Sequence, residues 1–254
     1  MLLTVYAKCP FREVTPLSDT TFKMNFSLRS SDFDAQGRIK PSAVLDIFQE
    51  VATRHAEELG TGFDEMLAHK MFWVLTKVRY TVHNPMHFQQ DVKVLTRAYA
   101  PKLVEFRRDF AVYGKDGTLL ITGASMWTVI SSETRRIVRT TNLYGNNVLS
   151  DGYFFDGEIL RLPDFKGEKL KKTQTAEYSD LDRNGHVNNR RYADFAQNVL
   201  DFHGEIQNFQ INFHREILAG DTVEFYYEKS GNSALIRGVK DNKPMYECFE
   251  EYKK

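Results

Sequence analysis

One segment of this chain occurs twice. "DAQGRIKPSAVLDIFQEVATRH", Asp34 to His55, and "DRNGHVNNRRYADFAQNVLDFH", Asp182 to His203, stand 148 residues apart and share six of 22 positions. The shared pairs are Asp34 and Asp182, Gly37 and Gly185, Asp46 and Asp194, Gln49 and Gln197, Val51 and Val199, and His55 and His203. Chance gives about one or two such identities, so the chain reads as a duplication whose period is far too long for a solenoid. Its 254 residues are enough for two units that each bury a core. We expect one unit over residues 1–150 and the other over 151–254, with a connector from about Thr141 to Lys169.

Both copies follow the same local grammar. An extended stretch, "TFKMNFSLRSSDFD" or "KLKKTQTAEYSDLD", leads through a Gly turn into a one-sided helix, and strands follow. In the first helix Val44, Ile47, Phe48, Val51 and His55 share a face, with Pro41 suited to the first turn. In the second, Tyr192, Phe195, Ala196, Val199 and His203 do so, and Asn188 or Asn189 caps the start. The alternating runs beginning at Trp73, Val104 and Asn208, with a hairpin at Lys115-Asp116-Gly117, supply a sheet to cover those faces. The fold class is α+β, each unit a long helix and an antiparallel sheet.

Hydrophobic residues make up 42% and the formal charge balances at zero, so no overall field points to nucleic acid or an anionic membrane. Cys9 and Cys248 have no metal-type spacing and read as free thiols of a reducing compartment. The N-terminus lacks a basic leader pattern and no apolar run approaches the ~20 residues that span a bilayer. The expected location is cytoplasmic. His69, His83 and His87 form no recognised metal set.

"YSDLDRNGHVNNRRYADF", followed at a distance by "INFHREILAGD", resembles the acyl-acyl carrier protein thioesterases of plants and bacteria. The first-repeat "RIKPSAVLDIFQEVATRHAEELG" is also similar to that family, so the likeness covers nearly the whole chain. It implies a tandem hot-dog fold and hydrolysis of fatty-acyl thioesters without metal or organic cofactor. The family's catalytic roles fall on Asp182, Asn184, His186 and Glu216. The implied partner is an acyl carrier protein bearing a phosphopantetheine-linked acyl chain, and a homodimer is compatible with the reading. In plant relatives a Cys commonly follows the matching glutamate; here Ile217 stands there, so no Cys-His pair is available. An acyl-CoA hydrolase, a non-catalytic acyl-binding module and, more distantly, a dehydratase stay open as alternatives.

Alternate residues of an extended segment face one side, so Asp182, Asn184 and His186 gather an acid, an amide and an imidazole on one wall. The competing reading is an Asx turn ahead of a helix, with His186 solvated. Arg38 stands where the second copy has His186, so one copy keeps chemistry and the other serves as scaffold. A thioester's leaving thiol has a pKa near ~8.5, so the demand falls on activating water and stabilising an oxyanion. Either His186 or Glu216 serves as base, and Glu216 is alternatively a nucleophile. Without the resemblance, Glu216 reads as a surface residue pairing with Arg215 or His214. Phe63, Met66, Leu67, Met71, Phe72 and Trp73 suit either an acyl channel or ordinary core. The basic pairs Arg107-Arg108, Arg135-Arg136, Lys171-Lys172 and Arg190-Arg191 suit an acidic carrier protein or plain solvation, with Arg190-Arg191 nearest the motif.

Overall fold

The computed structural model describes residues 20–140, 143–144, 152–166 and 169–253. Cys9, the expected boundary at residues 150 and 151, and much of the expected connector lie outside the described residues. Among the described residues, ten strands form one antiparallel sheet. They are β1 (Thr21–Ser27), β2 (Met71–Val82), β3 (Asp91–Ala98), β4 (Phe106–Gly114), β5 (Leu119–Ser131), β6 (Leu170–Thr175), β7 (Ile206–Phe213), β8 (Thr222–Ser230), β9 (Ser233–Lys240) and β10 (Lys243–Tyr252). Their order is β1-β3-β4-β5-β2-β7-β10-β9-β8-β6, a palindrome in which five strands of one copy meet five of the other. The seam is the pairing of Lys77 through Thr81 with Asn212 through Asn208.

Helix α1 (Pro41–Glu58) lies on one face of the first half and α3 (Asn189–Gln197) on the second, and the two pack together; α2 (Phe63–Ala68) follows α1. The apolar stripe read from the sequence is the buried one: Val44, Ile47, Phe48, Val51 and His55 are all buried. Phe48 stacks on Phe110 of β4 at 4.1 Å. Gly123 allows that approach, because a Cβ there would lie 2.7 Å from both the Phe48 ring and the Arg79 carbonyl. One apolar core runs beneath both helices, through Phe110 and Ile121 to Phe209, Phe225 and Tyr246.

The expected second helix is too long. It stops at Gln197, so Val199 remains buried in the turn that follows while His203 lies outside the helix. The first copy continues as Ala52 to Glu58, rich in good helix formers, whereas the second continues into Asp201, His203 and Gly204, which are poor ones. Arg38, the counterpart of His186, donates to the His203 carbonyl at 2.7 Å and ties the first loop to the segment after α3.

Residues on β4 and β7 that point away from the helices hold the link between the copies. Asp109 Oδ2 accepts from the Phe155 N–H at 3.1 Å, and Gln210 exchanges two hydrogen bonds with the Leu160 backbone at 2.9 and 2.7 Å. The described part of the link, at Phe155 and Leu160, therefore straps the far face of the sheet.

Two buried titratable groups oppose one another. Glu250 accepts from Tyr252 Oη at 2.6 Å and from Gln197, and burial pushes it from 4.5 up to about 7. Between those values the folded chain keeps a proton the unfolded chain has released, so stability falls as pH rises. His55 accepts a bond from Arg108 at 2.8 Å through Nδ1, and burial, with the Arg108 charge beside it, lowers it from 6.5 to about 3. Its contribution is present above 6.5 and is lost as pH falls. Glu250→Gln removes the first effect only, so its melting temperature should rise more steeply than wild type's between about pH 4.5 and 7. Parallel profiles would show that Glu250 does not titrate in that window.

Candidate active site

The loop before each helix is built the same way. Short 3-10 turns at Ser30–Asp32 and Tyr178–Asp180 lead into matched bridges, Phe33 with Ile39 and Leu181 with Val187. Gly37 and Gly185 adopt φ +76 and +77, a left-handed conformation that favours glycine. Asp182 Oδ1 accepts from the N–H groups of Asn184 at 2.8 Å and His186 at 3.3 Å, as Asp34 Oδ1 accepts from Gln36 and Arg38, both at 2.9 Å. The segment is thus an Asx turn and not an extended wall. Asn184 is exposed, its amide on Asp182 at 3.4 Å. Asn188 caps α3 by accepting from the Arg190 N–H at 3.1 Å.

The turn nevertheless delivers His186 to Glu216. The Ile217 carbonyl accepts from the Val187 N–H at 2.9 Å, and the Ile217 N–H donates to Tyr192 Oη at 3.1 Å. These bonds lock the strand end carrying Glu216 against the motif loop. His186 Nε2 stands 3.6 Å from Glu216 Oε2, an ion-pair distance longer than a hydrogen bond. Arg215 and His214 are engaged elsewhere, on the Pro244 carbonyl and on Glu247, so the surface pairing considered for Glu216 does not form. Arg135, from the turn after β5, binds the same Oε2. Its guanidinium lies 5.0 Å over the Phe72 ring. Arg183 of the motif loop sits 3.6 Å over Phe63 and 3.6 Å from Asp64 on α2.

A narrow, mostly apolar cleft, partly open to solvent, lies between α1 and the sheet. Leu45, Phe48, Leu75, Val78, Phe110 and Trp127 line it, together with Asn189 and Arg190 from the segment that follows His186. Phe48, Asn189 and Arg190 stood out in the sequence for other reasons; their place in a cleft, the other lining residues, and Arg135 as a partner of Glu216 did not. Among the residues expected to suit an acyl channel, Met66 and Met71 are core, and Leu67 is exposed. Trp73 packs on Phe106 and Tyr144 and donates to the Thr61 carbonyl at 3.0 Å. Phe63 and Phe72 instead carry the two guanidiniums. Arg191 is spent on Asp180 and Asp194, both at 2.6 Å, which leaves little of the expected Arg190-Arg191 patch for a partner. No cluster of potential metal ligands occurs among the described residues, and no helix there is long and apolar enough to cross a membrane.

The model of the acyl-ACP thioesterase N-terminal domain matches residues 19–145, and that of the C-terminal domain matches residues 165–247. This chain therefore belongs to the acyl-ACP thioesterase family. It is 26% identical over 216 residues to the palmitoyl-acyl carrier protein thioesterase of Gossypium hirsutum, covering 77% of this chain and 52% of that protein. It is 25% identical over 245 residues to the dodecanoyl-[acyl-carrier-protein] hydrolase of Umbellularia californica, covering 89% and 64%. The chain spans about half the length of several curated relatives it matches. Among solved structures, an acyl-ACP thioesterase from Bacteroides thetaiotaomicron superposes with a TM-score of 0.84 at 21% identity, over 92% of this chain and 98% of that one. The 12:0-ACP thioesterase of Umbellularia californica gives 0.83 at 22%, over 94% and 99%. The fold is a tandem hot-dog.

Because both Asx turns hang on one carboxylate, Asp34→Ala and Asp182→Ala should each lower the unfolding free energy by about 1–2 kcal/mol in urea titrations. Only the second should also cost turnover, since it alone frees His186. Equal turnover in the two variants would detach the loop geometry from the chemistry.

Proposed function

We propose that this protein hydrolyses fatty acyl thioesters of acyl carrier protein to the free fatty acid and the carrier thiol. The observation that carries the reading is the His186–Glu216 pair at 3.6 Å, held where the motif loop runs on into the residues lining the apolar cleft. An acyl chain in that cleft buries apolar surface and leaves its polar thioester near the pair. Glu216, acting with His186, takes a proton from water as the water attacks the thioester carbonyl. The tetrahedral oxyanion then collapses, the C–S bond breaks, and the proton taken from water passes to the departing sulfur. The thiolate is a good leaving group, so the pair's main work is done once water has attacked. Asp182 is a positioning residue, through the backbone of His186. Asn184 orients water or the carbonyl only by giving up its long contact with Asp182.

The names of relatives support the substrate class, all being acyl carrier protein thioesterases or hydrolases. The plant relatives are designated chloroplastic, and the cytoplasmic location expected from the sequence remains part of this proposal. So does a homodimer.

Thiol release from acyl carrier protein and acyl-CoA substrates of several chain lengths tests the reading. His186→Ala and Glu216→Ala should each lower kcat/KM by ~10²-fold or more with melting temperatures close to wild type. Faster turnover of acyl-CoA would replace the carrier protein with CoA as substrate. Bound acyl chains with no turnover would make the protein a binding module.

A further inference from the structure

The second unit supplies His186 and Glu216, yet their contact at 3.6 Å is too long for a hydrogen bond to fix the carboxylate. Glu216 is more than a third exposed, so a carboxylate held by His186 alone would rotate into water. What restrains it comes from the other copy. Arg135 lies on a turn in which the Ser131 N–H donates to the Arg136 carbonyl at 2.9 Å and the Ser131 hydroxyl accepts from the Glu133 and Thr134 N–H groups. Lys70 fixes the same turn through Glu133 at 2.6 Å. Arg135 takes φ +56 there, a conformation costly for a residue with a Cβ. Below the guanidinium lies Phe72, whose ring face attracts the cation and limits its swing. Arg135 and His186 both meet Oε2, and among the described residues Oε1 carries no hydrogen bond.

We propose that Arg135 is a positioning residue: reaching from the first unit, it holds the Glu216 carboxylate against His186 of the second, leaving Oε1 to meet water. The site is then complete only when both copies are docked. This rests on the hydrolase reading above but adds a residue and a role that the family motif does not contain. It also reassigns Arg135 from the basic pairs expected to meet a carrier protein.

The test is a double-mutant cycle with a spectroscopic arm, on the full chain. Arg135→Gln should lower kcat by ~10-fold with KM within about twofold on both acyl carrier protein and acyl-CoA, and Arg135→Lys should recover most of it. Added to Glu216→Ala, Arg135→Gln should cost nothing further, because its effect passes through Glu216. The ring-nitrogen NMR resonances of His186 should move in Arg135→Gln and stay in place in Arg136→Gln. A loss confined to KM for the carrier protein, a full further loss in the Glu216→Ala background, or unmoved His186 resonances would overturn the proposal. Full turnover by Glu216→Ala would instead sink the hydrolase reading of the site, and this assignment with it. The NMR arm still decides whether Arg135 sets the His186–Glu216 contact if no thioester is turned over.

Discussion

Everything in this molecule hangs on five residue pairs, Lys77 to Thr81 against Asn212 to Asn208. A single copy would present β2 or β7 as a long unpaired edge, open to any other strand. Pairing the two edges closes both and makes one ten-stranded sheet, with α1 and α3 side by side on one face. That docking also brings the motif loop of the second copy to α2, and Glu216 to the turn after β5. The His186–Glu216 site and the Arg135 that touches it are thus products of the seam as much as of the motif.

Duplication preserved the backbone and spent its freedom on side chains. The two Asx turns match hydrogen bond for hydrogen bond, yet Arg38 turns to Asp34 and the His203 carbonyl while His186 turns to Glu216. The same divergence appears under the helices. Across the seam Ala124, Arg79, Gln210 and Phe249 lie in one row, so Ser125 and Glu250 occupy matching places. In the first copy Trp127 donates to the small Ser125 at 2.7 Å, and Ser125, Trp127 and Gln49 line the cleft. In the second, the larger Glu250 takes bonds from Gln197 and Tyr252 and is wholly buried. One copy keeps a narrow cleft and the other fills its equivalent with a satisfied polar cluster.

The duplication, the buried stripe of α1, the hairpin at Lys115-Asp116-Gly117 and the cap at Asn188 were all legible because local patterns carry them. Local patterns also explain what was misread. Alternation holds only in extended backbone, and Asp182 has two N–H groups within reach that pull the chain into a turn. The early end of α3 lies in weak propensities past Gln197 that a shared apolar face concealed. Arg135 lies 81 residues from Glu216, and no spacing rule connects them. Nor could sequence separate Leu45, Leu75 and Val78, which line the cleft, from the core beside them, since both are apolar and differ only in what packs opposite.

The forces that hold the site differ in kind. Ion pairs between part-exposed groups such as His186, Glu216 and Arg135 contribute about 1 kcal/mol or less each, because water competes for both charges. Such pairs turn the Glu216 carboxylate but do not place the strand end that carries it. The hydrogen bonds behind them do: Val187 to Ile217 and Ile217 to Tyr192 lie in the core, where an unmade bond costs about 1–3 kcal/mol, and Asp182 adds a part-buried bond to His186. The chain therefore brings His186 and Glu216 together with buried hydrogen bonds and leaves the turn of the carboxylate to Arg135 at the water boundary. That division suits a hydrolase, whose reactive groups must stay reachable by water while their separation does not drift.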